Sequence, residues 1–245
     1  MTRSHRIFIG TAALVFATAG MATAQNNVKG GGIEPETFGH AMIHLGMTPV
    51  VSFGFTPAGT TCDEPQPDVC VVMNASPAMT RFSYPDLTRI VIPAGSTQSI
   101  VYPMFHHVIH YELLNDTSVP QPNAVFQFNT LVTLESDALL DPSLINPDTG
   151  QPFNGSYQVS FAPPEGVNRS LSVGERIYQM SRLGSTGNYL FDYQFFRGLG
   201  LSDKVVKKIF QGRITLHLGF KGATRLTSGA FGNFSMRLIG DGPTP

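Results

Sequence analysis

Residues 124–136, AVFQFNTLVTLES, alternate apolar and polar side chains, so that Phe126, Phe128, Thr130, Val132 and Leu134 share one face. That period of two is the signature of a half-buried β-strand. Similar runs recur along the chain at TPVVSFGF (48–55), VCVVMNA (69–75), TRFSY (80–84), TRIVIP (88–93) and SIVYPMFHHVIHYELL (99–114). They continue at SYQVSFAP (156–163), YLFDYQFF (189–196), RITLHLGF (213–220) and AFGNFSMRLIG (230–240). Pro, Gly, Ser, Asn or Asp separates most of them. Short β-branched and aromatic runs divided by turn residues predict an all-β fold: a two-sheet β-sandwich of the jelly-roll or immunoglobulin-like kind.

One stretch breaks the period. Ser202 is suited to an N-cap, Asp203 sits in the first turn, and Leu201, Val205, Ile209 and Phe210 form an apolar stripe that Gly212 ends. This predicts one short helix near 202–211. Residues 165–188 show no clean period and read as irregular, with room for a helical turn. Residues 137–155, rich in Asp, Asn and Pro, read as a long loop.

The N-terminus obeys a different logic. Arg3, His5 and Arg6 precede an uncharged apolar run, Ile7 to Met21, and small residues follow at Ala22 and Ala24. The layout is that of a secretory signal peptide over residues 1–24, cut after Ala24, and its brevity suits a bacterium. The run is too short and alanine-rich for a spanning helix, which needs about 20 strongly apolar residues. No later stretch qualifies. Residues 25–46, Gly-rich and polar at first, read as a flexible arm, and residues 47–245 as a single β-sandwich domain. The expected location is periplasmic or secreted. Cys62 and Cys70, the two cysteines of the chain, then read as a disulfide across a short polar loop. A redox or zinc motif would place them closer together.

Composition narrows the function. Charged residues make up 13% of the chain, about half the usual ~25%, and no basic surplus points to nucleic acid. The charge is unevenly spread. From Gln25 to Asn168 three basic residues face thirteen acidic ones, a net of −10, whereas Arg169 to Pro245 carries a net of +7. Such asymmetry marks either two halves that pack together or complementary faces on neighbouring copies.

Three residue sets carry candidate chemistry. In YPMFHHVIHY (102–111) strand alternation puts His106 and His110 on one face with Val108, and His107 on the other. His106 and His110 then stand roughly 13 Å apart at ~3.3 Å per residue, too far to share one metal. They read as surface histidines. His40, Met42, His44 and Met47 mix imidazole with thioether, the ligand types that suit copper. Asp141, Asn146 and Asp148 offer oxygen ligands for an ion, although the EF-hand order and its closing Glu are missing. Neither a nucleophile elbow nor HExxH occurs, so the chain is not expected to be an enzyme. The leading expectation is a secreted or cell-surface structural or adhesive protein that associates with itself, or with another cell-surface protein, through acidic and basic faces. A periplasmic copper-binding sandwich and a carbohydrate-binding module are the alternatives, the latter on fold analogy alone.

Overall fold

The computed structural model describes residues 42–62, 66–160, 165–186 and 191–241. The expected signal segment, and the expected arm up to residue 41, lie outside these residues. In chain order the strands are β1 (Met42–Met47), β2 (Val51–Thr56), β3 (Val69–Val72), β4 (Thr80–Ile92), β5 (Ile100–Leu114) and β6 (Gln121–Glu135). They continue as β7 (Ser156–Ser160), β8 (Glu165–Leu171), β9 (Arg176–Thr186), β10 (Phe191–Asp192), β11 (Ile214–Arg225) and β12 (Thr227–Asp241). Helices α1 (Tyr193–Gly198) and α2 (Asp203–Gln211) stand between β10 and β11.

The strands form two sheets, as the alternation predicts. A seven-stranded sheet is centred on the long antiparallel pair β5 and β12. The free edge of β12 takes β1 along 237–241 and β2 along 230–234, with β3 parallel beyond β2. The free edge of β5 takes β10 and then β9. The second sheet has five strands, β4–β11–β6, with β7 and β8 sharing the outer edge of β6.

Inward-facing phenylalanines join the sheets. Phe53 and Phe234 from the larger sheet meet Phe128 and Phe220 from the smaller, with ring centroids 4.9 to 5.5 Å apart in the Phe53–Phe128, Phe53–Phe220, Phe128–Phe220 and Phe220–Phe234 pairs. All four are buried. Burying each contributes roughly 1.5–3 kcal/mol.

Several local expectations are corrected. Residues 42–46, assigned to the arm, belong to β1, because Ile43 to Met47 pair with β12. TRFSY and TRIVIP are one continuous strand. Pro85 interrupts the pattern without ending it, since the ladder is irregular there: Tyr84 pairs with Phe220 and Thr88 with Leu218. Pro's missing N–H is tolerated at such a bulge. Gly219 makes the bulge fit, because a Cβ there would lie 2.1 Å from the Tyr84 carbonyl oxygen. Within 165–188 the described residues 165–186 form two strands rather than a helical turn, and the 172–175 turn passes the chain from one sheet to the other. Of YLFDYQFF, residues 191–196 are described, and among them only Phe191 and Asp192 are strand. Asp192 Oδ1 accepts from the Phe195 N–H at 2.7 Å, an N-cap that starts α1. The helix near 202–211 is α2, as expected, and the shorter α1 precedes it among the described residues. Val206, Ile209 and Phe210 are the buried face of α2.

Candidate ligand-binding groove

The outer face of the seven-stranded sheet carries a groove of about 850 Å³. Register explains its floor. Gly54 on β2 pairs with Phe231 on β12, Phe231 with His110 on β5, and His110 with Met180 on β9. Paired residues point to the same face, so these four make a row across the sheet, of which Gly54, Phe231 and His110 line the groove and Met180 lies beyond the lining. Phe231, Tyr178 and Met180 are 57%, 62% and 50% exposed. The imidazole of His110 lies parallel to the Phe231 ring, with centroids 4.8 Å and planes 6° apart. Tyr178 Oη and His110 Nδ1 share a 3.0 Å hydrogen bond. Three rings are thereby held as one surface, although they are not core.

The walls come from two places. On one side Cys62 and Pro67 of the disulfide loop lie over the sheet: a Cβ on Gly54 would sit 3.3 Å from both Cys62 Sγ and Pro67 Cγ. Glycine is what lets the loop lie this close. Asp68 anchors the loop, accepting from the Ser52 N–H and hydroxyl at 2.7 Å each. The Ser52 backbone N–H first, then its hydroxyl, hold the Asp68 carboxyl below its ordinary pKa. On the other side stand Tyr178 and the ion pair of Arg176 Nε with Glu112 Oε1, 2.8 Å apart. Glu112 and Arg176 are the charged residues among the described lining, with His110 as the titratable ring.

The other outer face is different. His217 on β11, 7% exposed, lies between two exposed carboxylates. Its Nδ1 is 2.8 Å from Asp86 Oδ1. Its Nε2 is 2.9 Å from Glu135 Oε2, an ion-pair contact that departs from the N–H direction. Burial opposes charge on the ring, but hydrogen bonding and attraction from Asp86 and Glu135 outweigh it, so the pKa is raised. The carboxylates meet opposite ring nitrogens, which gives a clamp and not a convergent metal site.

Cys62 and Cys70 form the expected disulfide, with Cα atoms 5.9 Å apart. His106 is exposed and His110 half-buried on the outer face, while His107 is buried between the sheets, as the alternation requires. Of the copper set, His40 lies outside the described residues. A bulge between His44 and Gly46 brings Met42, His44 and Met47 to register positions opposite Asp241, Ile239 and Arg237. Arg237 Nε stands 3.3 Å from His44 Nδ1, so a guanidinium occupies the neighbourhood a cation would need. No group of three or more His, Cys, Asp or Glu suited to a metal occurs among the described residues.

The oxygen-rich loop is consumed by its own turns. Asp141 Oδ1 accepts from the Ser143 N–H and hydroxyl, Asn146 Oδ1 from the Asp148 N–H, and Asp148 Oδ2 from the Tyr157 hydroxyl. Asp141, Asn146 and Asp148 therefore do not converge. Sequence reasoning missed Phe231, Tyr178, Glu112, Arg176 and the His217 clamp. One signal was present: RIYQM at 176–180 and FGN at 231–233 put aromatic or thioether groups on the face that alternation assigns to solvent. No described helix is long and apolar enough to cross a membrane. Neither a protein-family model nor a curated protein sequence matches this chain.

Proposed function

We propose that this protein is an exported, non-enzymatic binding module that takes its ligand in the groove of the seven-stranded sheet. One observation carries the reading: Phe231, His110 and Tyr178 are fixed to one another on an outer sheet face, where a solvated strand would carry polar groups. A concave site with an apolar floor and a few placed polar groups is the usual form of a binding site. The titratable groups in the groove are already partnered, His110 with Tyr178 and Glu112 with Arg176, which supports binding over acid–base catalysis. A disulfide in so short a loop supports an oxidising compartment, in line with the N-terminal signal layout.

The test uses residues 25–245 purified from an oxidising compartment and screened by thermal shift against saccharide, peptide and apolar libraries. A ligand at 100 times its Kd stabilises by about 2.7 kcal/mol, a readable rise in Tm. The rise should vanish in Phe231→Ser while the unliganded Tm stays the same. A full-sized shift in that variant would remove the groove from the binding site.

Self-association is the second reading, and the edge of β3 favours it. This strand pairs with β2 alone among the described strands, and Val72 is exposed on it; an uncovered edge invites pairing with another chain. The charge split lends it less support than its size suggests, because both sheets interleave strands from the acidic and basic halves. Arg176–Glu112 and His217 with Asp86 and Glu135 pair across that division. Sedimentation at low and moderate ionic strength separates the cases. Oligomers that dissolve with salt support charged faces, oligomers that persist support the edge, and a monomer at both rejects association.

A further inference from the structure

We propose that the groove binds a neutral oligosaccharide, a pyranose face resting against the exposed Phe231 ring while its hydroxyls bond to Glu112 and Arg176. The inference rests on the reading that the groove is the binding site, and adds the chemistry of what fills it.

Three features select this occupant. The floor is the face of a sheet, where backbone N–H and C=O groups are spent in the β2–β12–β5–β9 ladders. A peptide recognised by strand addition needs an unpaired edge, which this floor lacks, so side chains must do the recognising. The Arg176–Glu112 pair stands inside the groove with its side chains partly open to water. A purely apolar occupant such as an acyl chain would strip water from both charges and return no hydrogen bond. Opposite unit charges 2.8 Å apart also cancel, leaving the described lining without a net charge for an anionic or cationic ligand to seek.

A pyranose meets these demands together. Its C–H face lies flat on an aromatic ring, and its edge carries hydroxyls that both donate and accept. A carboxylate accepts two such bonds and a guanidinium donates several in a fixed fork. Phe231 and His110 are stacked face to face, 4.8 Å apart and within 6° of parallel, so the imidazole backs one face of the phenyl ring, which remains 57% exposed for a sugar to meet. Tyr178 is tilted 44° from His110 and rises as a side wall. The disulfide loop forms the opposite wall, over Gly54. From β2 to β9 is three strand spacings, roughly 14 Å between Cα positions. After the walls take their share, that leaves one sugar chain lying in the groove, not a sheet of them.

The test is affinity electrophoresis and isothermal titration of residues 25–245, disulfide intact. The probes are neutral β-glucan, xylan, galactomannan and chitin oligosaccharides, anionic polygalacturonate, an extended-peptide library and an apolar dye. Phe231→Ser and Arg176→Ala are compared with Val91→Ser, which alters the outer face of the other sheet. Circular dichroism melts establish that each variant is folded. The expected result is binding of one neutral glycan class, weakened tenfold or more by Phe231→Ser and severalfold by Arg176→Ala, and unchanged by Val91→Ser. Binding only of peptide, dye or polygalacturonate, lost in Phe231→Ser, would overturn the glycan inference and leave the groove as the site. Binding of any probe that is indifferent to Phe231→Ser, or no binding at all, would overturn both.

Discussion

On the outer face of the five-stranded sheet, register lines up Arg89, His217, Thr133 and Gln158. On the outer face of the seven-stranded sheet it lines up Gly54, Phe231, His110 and Met180. Each row holds one histidine on a central strand. In the first, carboxylates from neighbouring strands close over the ring at 2.8 and 2.9 Å and exclude it from solvent. In the second, an aromatic ring stacks on the imidazole and a tyrosine hydroxyl steers it, while the surface stays open. The first histidine is satisfied within its own face. The other face keeps apolar area and hydrogen-bonding groups available, and that contrast is why it is the proposed site.

The largest effect should come from the floor both faces share. Phe220 lies 4.9 to 5.8 Å, centroid to centroid, from Phe53, Phe82, Phe128 and Phe234, which come from both sheets. Phe220→Ala should cost about 3–5 kcal/mol, since large-to-small changes in a closed core lose transfer energy and leave a cavity. Urea unfolding followed by far-ultraviolet dichroism measures it. A loss below about 1 kcal/mol would show that the faces do not rest on one seam, and the comparison would have to be made between two independent sheets.

The strand pattern made that seam legible and left the groove obscure. Phe126, Phe128, Val132 and Leu134 announce an inward face through local alternation, which one strand displays alone. The groove depends on pairing between β12, β5 and β9, which brings His110 to Tyr178 across 68 positions of sequence and to Phe231 across 121. No local period contains that information. His217 shows the same limit: RITLHLGF places it correctly on the outer face, yet the carboxylates that bury it come from β4 and β6. YLFDYQFF misled in the opposite way. Alternating rings at 189, 191, 193 and 195 imitate a strand, but the Asp192 cap and the packing of Phe195 and Phe196 against Tyr157 and Phe210 select a helix after two residues.

A smaller effect separates the faces by pH. The His217 pKa is raised above its ordinary 6.5. Its stabilisation is therefore full below 6.5 and lost as pH rises through the folded value. The Asp68 pKa is lowered from 3.8, so the contribution of the loop anchor is present above 3.8 and lost as pH falls through its folded value. Urea midpoints should decline as pH rises above 6.5, and His217→Gln should flatten that limb. Asp68→Asn should flatten only part of the acid limb. An alkaline slope unchanged by His217→Gln would mean that the clamp carries no more charge folded than unfolded.

A smaller stability change still should come from the groove, where the effect on binding exceeds the effect on folding. Tyr178→Phe removes one hydroxyl and its 3.0 Å bond to His110 and leaves the exposed ring. An intramolecular hydrogen bond is worth about 0.5–1.5 kcal/mol net, and surface changes usually stay within about 0.5 kcal/mol, so the melting curve should hardly move. The ring of His110 would nevertheless lose the contact that fixes its turn about χ2. Nitrogen NMR of the imidazole should report a changed tautomer balance, and any ligand of the groove should bind more weakly than the stability change implies. If stability falls by more than about 1 kcal/mol instead, the Tyr178–His110 bond supports the fold in the way the His217 clamp does, and the two faces differ less in purpose than in exposure.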